Sequence, residues 1–182
     1  MTIHHSLTTH DSLMNTILNK YQLQLTIERL ACQVIENYVD LSSVVLIGLQ
    51  PRGIFLADKI YEHLKKIKPD QQFLYGKLDI TFYRDDIRNA LHAPNQTDIT
   101  FSIEDKNVIL IDDVLFTGRT IRAALDAILS YGRPRKVELC VLINRRYSRQ
   151  LPIQPDYCGK SIDSIISQKV KVEWEKNEVN LY

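Results

Sequence analysis

No run in the chain is apolar for long enough to cross a bilayer, and its first residues lack the basic-then-apolar pattern of a secretory leader. Its three cysteines, Cys32, Cys140 and Cys158, are widely spaced and odd in number. They exclude a disulfide framework, a zinc knuckle and a paired redox motif, and reduced structural thiols in a cytoplasmic protein are expected. The five histidines show no metal-ligand spacing; His4, His5 and His10 fall in a polar stretch that reads as a loose arm over residues 1–18. A formal net charge of +1 excludes nucleic-acid binding through bulk charge and leaves only a local basic face. Neither Gly-x-x-x-x-Gly-Lys-Ser/Thr nor Gly-x-Gly-x-x-Gly occurs, so two common nucleotide cradles are missing. There is no internal repeat and no low-complexity tract.

What the chain does have is an ordinary globular composition, 45% hydrophobic and 25% charged over 182 residues, enough for one domain with a sizeable core. Asn19 is placed to cap a helix carrying Leu23, Ile27, Leu30 and Val34 at helical spacing through about Tyr38. Val44-Val45-Leu46-Ile47 reads as a strand buried on both faces, and Ile54, Ala57, Tyr61 and Leu64 mark a following amphipathic helix. Residues 73–83 read as a further strand, and residues 84–106, polar and without sustained periodicity, as a flexible loop or flap. Residues 137–143 give another buried strand, and the tail from Asn144 mixes prolines with a short alternating segment. Strands alternating with helices imply right-handed βαβ units, hence an α/β fold with a central, mainly parallel sheet flanked by helices.

The densest signal is Val108-Ile109-Leu110-Ile111-Asp112-Asp113, followed by Val114, Leu115, Phe116, Thr117, Gly118, Arg119 and Thr120. A buried strand runs into two acids and then a turn of small, hydroxyl-bearing and basic residues. A helix is expected next, with Ile121, Ala124, Leu125, Ile128 and Leu129 on one face. Free amides and the positive end of the dipole make such a helix start an anion site; Gly allows close approach, while Thr and Arg add donors. The paired acids can hold a sugar diol or Mg²⁺ beside the bound phosphate. Arg52 and Gly53 form a second anion-suited turn after a second buried strand. Ligands of parallel sheets bind at the carboxyl ends of strands, so two such turns on one edge suit a ligand with two separate phosphate groups.

The Asp-Asp to Thr-Gly-Arg-Thr motif resembles the 5-phosphoribosyl-1-pyrophosphate (PRPP) loop of type I phosphoribosyltransferases. Three further motifs narrow the resemblance: Asp79-Ile80-Thr81-Phe82-Tyr83-Arg84-Asp85-Asp86, Gly132-Arg133-Pro134 and Leu151-Pro152-Ile153. Together they resemble the PyrR subfamily, bifunctional regulators of pyrimidine-operon attenuation and uracil phosphoribosyltransferases, over nearly the whole chain. The resemblance implies a core over residues 19–143 with its loop at 84–106, and a small C-terminal hood over 144–182. It implies transfer of phosphoribosyl from PRPP to uracil, giving UMP and pyrophosphate, with Mg²⁺ as cofactor. Asp112 and Asp113 would meet the ribose hydroxyls and, indirectly, the metal. Arg84 would reach the pyrophosphate from the loop. Arg52, Gly53 and the residues from Val114 to Thr120 named above would hold PRPP, and Arg145 and the backbone near Val170 would lie close to uracil. Phe116 stands where purine-salvage relatives place an Asp, which weighs against a purine base. A homo-oligomer, dimer or larger, is the family's usual form.

The subfamily also binds RNA, and Arg29, Arg119, Arg122, Arg133, Arg135, Lys136, Arg145, Arg146 and Arg149 could line a basic surface for it. Regulators of the subfamily carry Thr-Arg and a nearby His in the first helix, where this chain has Glu28-Arg29 and Cys32. Catalysis is therefore the leading expectation. An RNA-binding attenuator with a nucleotide-sensing site is the alternative, and a phosphoribosyltransferase for another base the third possibility.

Overall fold

The computed structural model describes residues 15–38, 40–83 and 96–182. Its elements run β1 (Asn15–Leu18), α1 (Lys20–Asn37), β2 (Val44–Leu49), α2 (Gly53–Ile67), β3 (Leu74–Leu78), β4 (Asn107–Leu115), α3 (Arg119–Ile128), β5 (Lys136–Arg146), β6 (Tyr157–Asp163), β7 (Val170–Glu173) and β8 (Glu178–Leu181). Five strands form a parallel sheet in the order β3-β2-β4-β5-β6, and β1-β8-β7 form a separate antiparallel sheet.

Every residue of β2 is buried, as a strand covered on both faces requires. Helices α1 and α2 cover one face, where Leu30, Ala31, Leu56 and Ile60 meet Ile109 and Ile111. Helix α3 covers the other, where Ala124, Ala127 and Ile128 meet Val108 and Leu110. Asn19 caps α1 as expected: its side chain accepts the Gln22 N–H at 2.9 Å while Gln22 Oε1 accepts the Asn19 N–H at 3.1 Å.

Several boundaries differ from the sequence reading. The end of the presumed loose arm is strand β1, because Asn15 and Thr16 pair with Leu181 and Asn180 and Leu18 is buried. Strand β3 stops at Leu78, and Thr81–Tyr83 is a short 3-10 turn pinned by the Asp79 carboxylate, which accepts from Thr81 N and Oγ1. Strand β5 runs on to Arg146, and β6, counted with the tail, is the fifth strand of the main sheet. Only β7 and β8 of the presumed hood join β1 in the small sheet. Of the presumed flexible loop, residues 84–95 lie outside the described residues. The rest is anchored: Asp98 bridges to Lys77 and Ile103 is fully buried. On α3 the buried face is one step round from the expected one, leaving Leu125 and Leu129 exposed and burying Ala123 and Ala127.

Candidate active site

Strands β2 and β4 are parallel neighbours, and the turns that leave their carboxyl ends start α2 and α3 respectively. Along β4, Ile109 and Ile111 face α1 and α2 while Val108 and Leu110 face α3. After the two acids that alternation reverses: Val114 packs with the α1–α2 cluster and Leu115 with the α3 cluster. The partner strand reverses at the same level, since Leu142 and Ile143 both join the α1–α2 cluster and Ile143 pairs with Val114. The acids thus sit where the strand changes face, and the two carboxylates serve different neighbours. Asp113 reaches Arg52, whose Nε donates to its Oδ2 at 2.8 Å. Asp112 lines a concavity of about 350 Å³ beneath the α3 turn, together with Phe116, Thr117, Gly118, Arg119 and Thr120. Asp112 Oδ1 also accepts the Asp113 N–H at 2.9 Å. Both acids are buried, with 7% and 4% of their surface exposed, so the edge they form is a desolvated one.

The two helix starts are alike in what they leave undone. Neither α2 nor α3 has a side-chain cap or an acidic residue in its first turn, although Thr117 Oγ1 accepts the Arg119 N–H at 3.4 Å, so both starts suit an anion. Gly118 holds φ at 93°, a left-handed backbone that glycine takes at no steric cost. Gly53 is required for a different reason. A Cβ there would overlap the Ile111 carbonyl oxygen and lie 2.9 Å from Asp112 Cα, so the start of α2 rests directly on the backbone of the acid pair. The Gln50–Pro51 bond that precedes it is cis. Arg52, with about half of its side chain exposed, also donates to the Val172 carbonyl at 3.2 Å and so joins the small sheet to this turn.

The expected base-contacting residues are placed otherwise than as a free pair. Arg145 is buried, its guanidinium 3.9 Å from the centre of the Phe116 ring. It donates to Ser164 Oγ at 2.8 Å and to the Ile165 carbonyl at 2.9 Å, tying the segment after β6 to the turn. Val170 lies in β7 opposite Leu181, and the β7 residue that reaches the turn is Val172. Arg84 lies outside the described residues. Sequence reasoning missed a second basic tie: Arg149 donates to the Phe116 carbonyl and to Asn144 Oδ1. Burial lowers the pKa of both Arg145 and Arg149, yet arginine keeps its charge at any ordinary pH.

The comparisons decide the family. Residues 14–177 match the model of the phosphoribosyl transferase domain. The chain belongs to that family. Within it, the chain is 45% identical to the bifunctional protein PyrR of Picosynechococcus sp., over 86% of this chain and 88% of that one. It is 46% identical to PyrR of Gloeothece citriformis and 41% identical to that of Enterococcus faecalis, with 86% and 89% of this chain and 88% and 90% of theirs covered. These likenesses place the phosphoribosyltransferase in the PyrR subfamily. Among solved structures, a hypoxanthine phosphoribosyltransferase of Trypanosoma cruzi matches with a TM-score of 0.69 at 15% identity, covering 91% of this chain and 89% of that one. A hypoxanthine-guanine enzyme of Bacillus anthracis matches at 0.65 and 20%, covering 82% and 84%. At those identities the likeness is one of fold: a mainly parallel five-stranded sheet with flanking helices.

The arginines expected to form an RNA surface are mostly engaged inside the chain. Arg29 donates to the Cys158 and Gly159 carbonyls, Lys136 pairs with Glu138, and Arg146 pairs with Asp163 at 2.6 Å. Arg122 pairs with Asp126, and Arg119 Nε donates to Gln150 Oε1 at 2.8 Å. Among the described residues no helix is long and apolar enough to cross a membrane, no group of three or more His, Cys, Asp or Glu could hold a metal ion, and all three cysteines are free.

Proposed function

We propose that the chain makes UMP and pyrophosphate from uracil and PRPP. The observation that carries this reading is the pair of uncapped helix starts at neighbouring strand ends, with Asp112 and Asp113 between them. The α3 turn, Thr117 to Thr120, would hold the 5′-phosphate; the α2 start with Arg52 and Gly53 would hold the pyrophosphate. The distance between the two turns is spanned by the acid pair, where the ribose hydroxyls would lie. Uracil N1 displaces the pyrophosphate oxygen at ribose C1: the C1–O bond breaks with its electrons on the leaving group, the N1–C1 bond forms, and the N1 proton is released. Positive charge grows on the ribose as this happens, and buried carboxylates beside the ring are worth more in that desolvated edge than in water. Arg52, and Arg84 from its loop, would take the charge of the departing pyrophosphate.

The residues fit Mg²⁺ held chiefly through substrate oxygens. Two carboxylates, each already accepting a hydrogen bond, cannot form a protein cage, and Mg²⁺ typically keeps waters and takes one or two carboxylates plus phosphates. Bound in that way it would neutralise the pyrophosphate as it leaves. Phe116, its ring covered on one side by Arg145, offers no proton acceptor to a purine. Cytoplasmic residence and a homo-oligomer belong to the same reading, and so does a role in pyrimidine gene regulation, since the relatives are named bifunctional.

The deciding experiment is PRPP-dependent pyrophosphate release with uracil, hypoxanthine, guanine and orotate in parallel. Release with uracil alone is expected; release with another base and none with uracil refutes the assignment. For the regulatory role, salt-dependent binding of a pyrimidine-leader RNA is the corresponding measurement.

A further inference from the structure

The α3 turn is held by a segment to which the proposed reaction gives no role, and whose Gln150 also lines the concavity beside the turn. Arg149 donates from one guanidinium nitrogen to the Phe116 carbonyl and from the other to Asn144 Oδ1 at 2.6 Å, so it bridges the turn to the carboxyl end of β5. The Gln150 N–H donates to the Thr117 carbonyl at 3.0 Å, and its side chain accepts from Arg119 Nε. Leu151 and Ile153 close the side of Gly118, where a Cβ would lie 3.4 Å and 3.3 Å from their atoms. Four residues of one strand-following segment therefore hold four successive residues of the turn, Phe116 to Arg119.

The geometry of the peptide unit turns this grip into an orientation. In a trans peptide the C=O and the next residue's N–H point in opposite directions. Among the described residues the one cis bond is Gln50–Pro51, so both peptides of the turn are trans. Holding the Phe116 and Thr117 carbonyls toward Arg149 and Gln150 aims the Thr117 and Gly118 N–H groups the opposite way, away from the gripping segment. Those are the donors that precede the first turn of α3, which has no side-chain cap. We propose that Arg149 is a positioning residue, which with Gln150 fixes two carbonyls outward so that two amides of the turn are aimed at the 5′-phosphate before it binds. The proposal rests on the phosphate reading of that turn and concerns what organises it. Arg149 does not touch the substrate. Its planar fork is what lets one side chain bridge two oxygens; a lysine would keep the charge and lose the bridge.

The test is calorimetric binding of ribose 5-phosphate and of pyrophosphate, each with Mg²⁺, to the full chain and its variants. Arg149→Ala is expected to weaken ribose 5-phosphate roughly tenfold, the order of one to two lost hydrogen bonds, and to leave pyrophosphate within about twofold. Arg149→Lys is expected to stay closer to the alanine variant than to the unaltered protein. Asn144→Ala, which frees the other end of the bridge, is expected to lower ribose 5-phosphate affinity alone by about threefold, and carries the test should Arg149→Ala fail to fold. Equal weakening of both ligands, unchanged ribose 5-phosphate binding, or full recovery by lysine overturns the proposal. Failure of UMP formation by the unaltered protein, with the ribose 5-phosphate difference present, removes the uracil reaction and leaves the positioning role standing. UMP formation with no such difference does the reverse.

Discussion

At the amino end of β5, Glu138 is buried and accepts from Tyr38 at 2.6 Å, from Tyr157 at 2.8 Å and from Lys136. Tyr157 in turn accepts from Asn37 at 3.2 Å. At the carboxyl end of the same sheet, Asp112, Asp113, Arg145 and Arg149 are as charged, but beside them α2 and α3 start without side-chain caps. One cluster closes on itself; the other lies beside two helix starts that no side chain caps. Removing one partner of a buried, hydrogen-bonded charge costs stability, whereas a helix start without a side-chain cap or a first-turn acid is suited to an anion. The contrast separates residues by what their removal should change.

The largest effect belongs to the open end. Replacing Asp112 and Asp113 together by Asn should lower the rate of UMP formation by roughly a thousandfold or more, since each removes fixed charge aimed at the developing ribose cation. The melting temperature should move little, because the Arg52–Asp113 pair is half exposed on the arginine side. Full activity in the double variant refutes their ribose role.

The same contrast explains how much could be read from sequence. The aliphatic runs of β2, β4 and β5 and the Thr117 to Thr120 turn are local patterns, and a strand covered on both faces has to be apolar throughout. Asn19 and Gln22 announce the start of α1 within four residues. What escaped depends on contacts between distant residues. β6 is an edge strand with four of its seven residues polar, charged or glycine, and its membership of the sheet comes from pairing with β5. β1 is four residues whose reason for being a strand is β8 at the far end of the chain. The Arg149 bridge spans 33 residues, and nothing near Arg149 in the sequence marks it off from the exposed Arg146. The exposed Leu125 and Leu129 show the limit of periodicity too: a helical stripe of small residues, Ala123, Ala124 and Ala127, suits close packing better than the leucines that flank it.

At the closed end, Glu138→Gln should cost about 2 kcal/mol of folding stability, since it replaces a charged acceptor of three hydrogen bonds. Activity per folded molecule should be unchanged, which denaturant melts alongside the release assay will show. The same residue sets an acid limit. Burial alone would raise the Glu138 pKa, but hydrogen bonds from Lys136, Tyr38 and Tyr157 outweigh it and hold the carboxyl below the ordinary glutamate value. A pKa lowered on folding means that the unfolded chain takes up protons first as pH falls. The stability it contributes is therefore present above about pH 4.5 and is lost below it, so the gap between the unaltered protein and Glu138→Gln should narrow in that acid range.

The smallest effect tests whether an uncapped helix start is a feature of the site or a habit of the fold. Among the described residues α1 is the one of the three long helices with a side-chain cap, through Asn19 and Gln22. Asn19→Ala should cost about 1 kcal/mol of stability, measured by urea unfolding, and leave ribose 5-phosphate affinity untouched. A new acid in the first turn of α3, introduced as Thr120→Asp, should instead weaken ribose 5-phosphate binding and leave stability within about 0.5 kcal/mol. Its carboxylate would compete with the phosphate for the amides and the dipole end. Loss of ribose 5-phosphate binding there with α1 indifferent would assign the α3 start to the ligand; an equal response at both helices would mean that helix-end charges here serve stability alone.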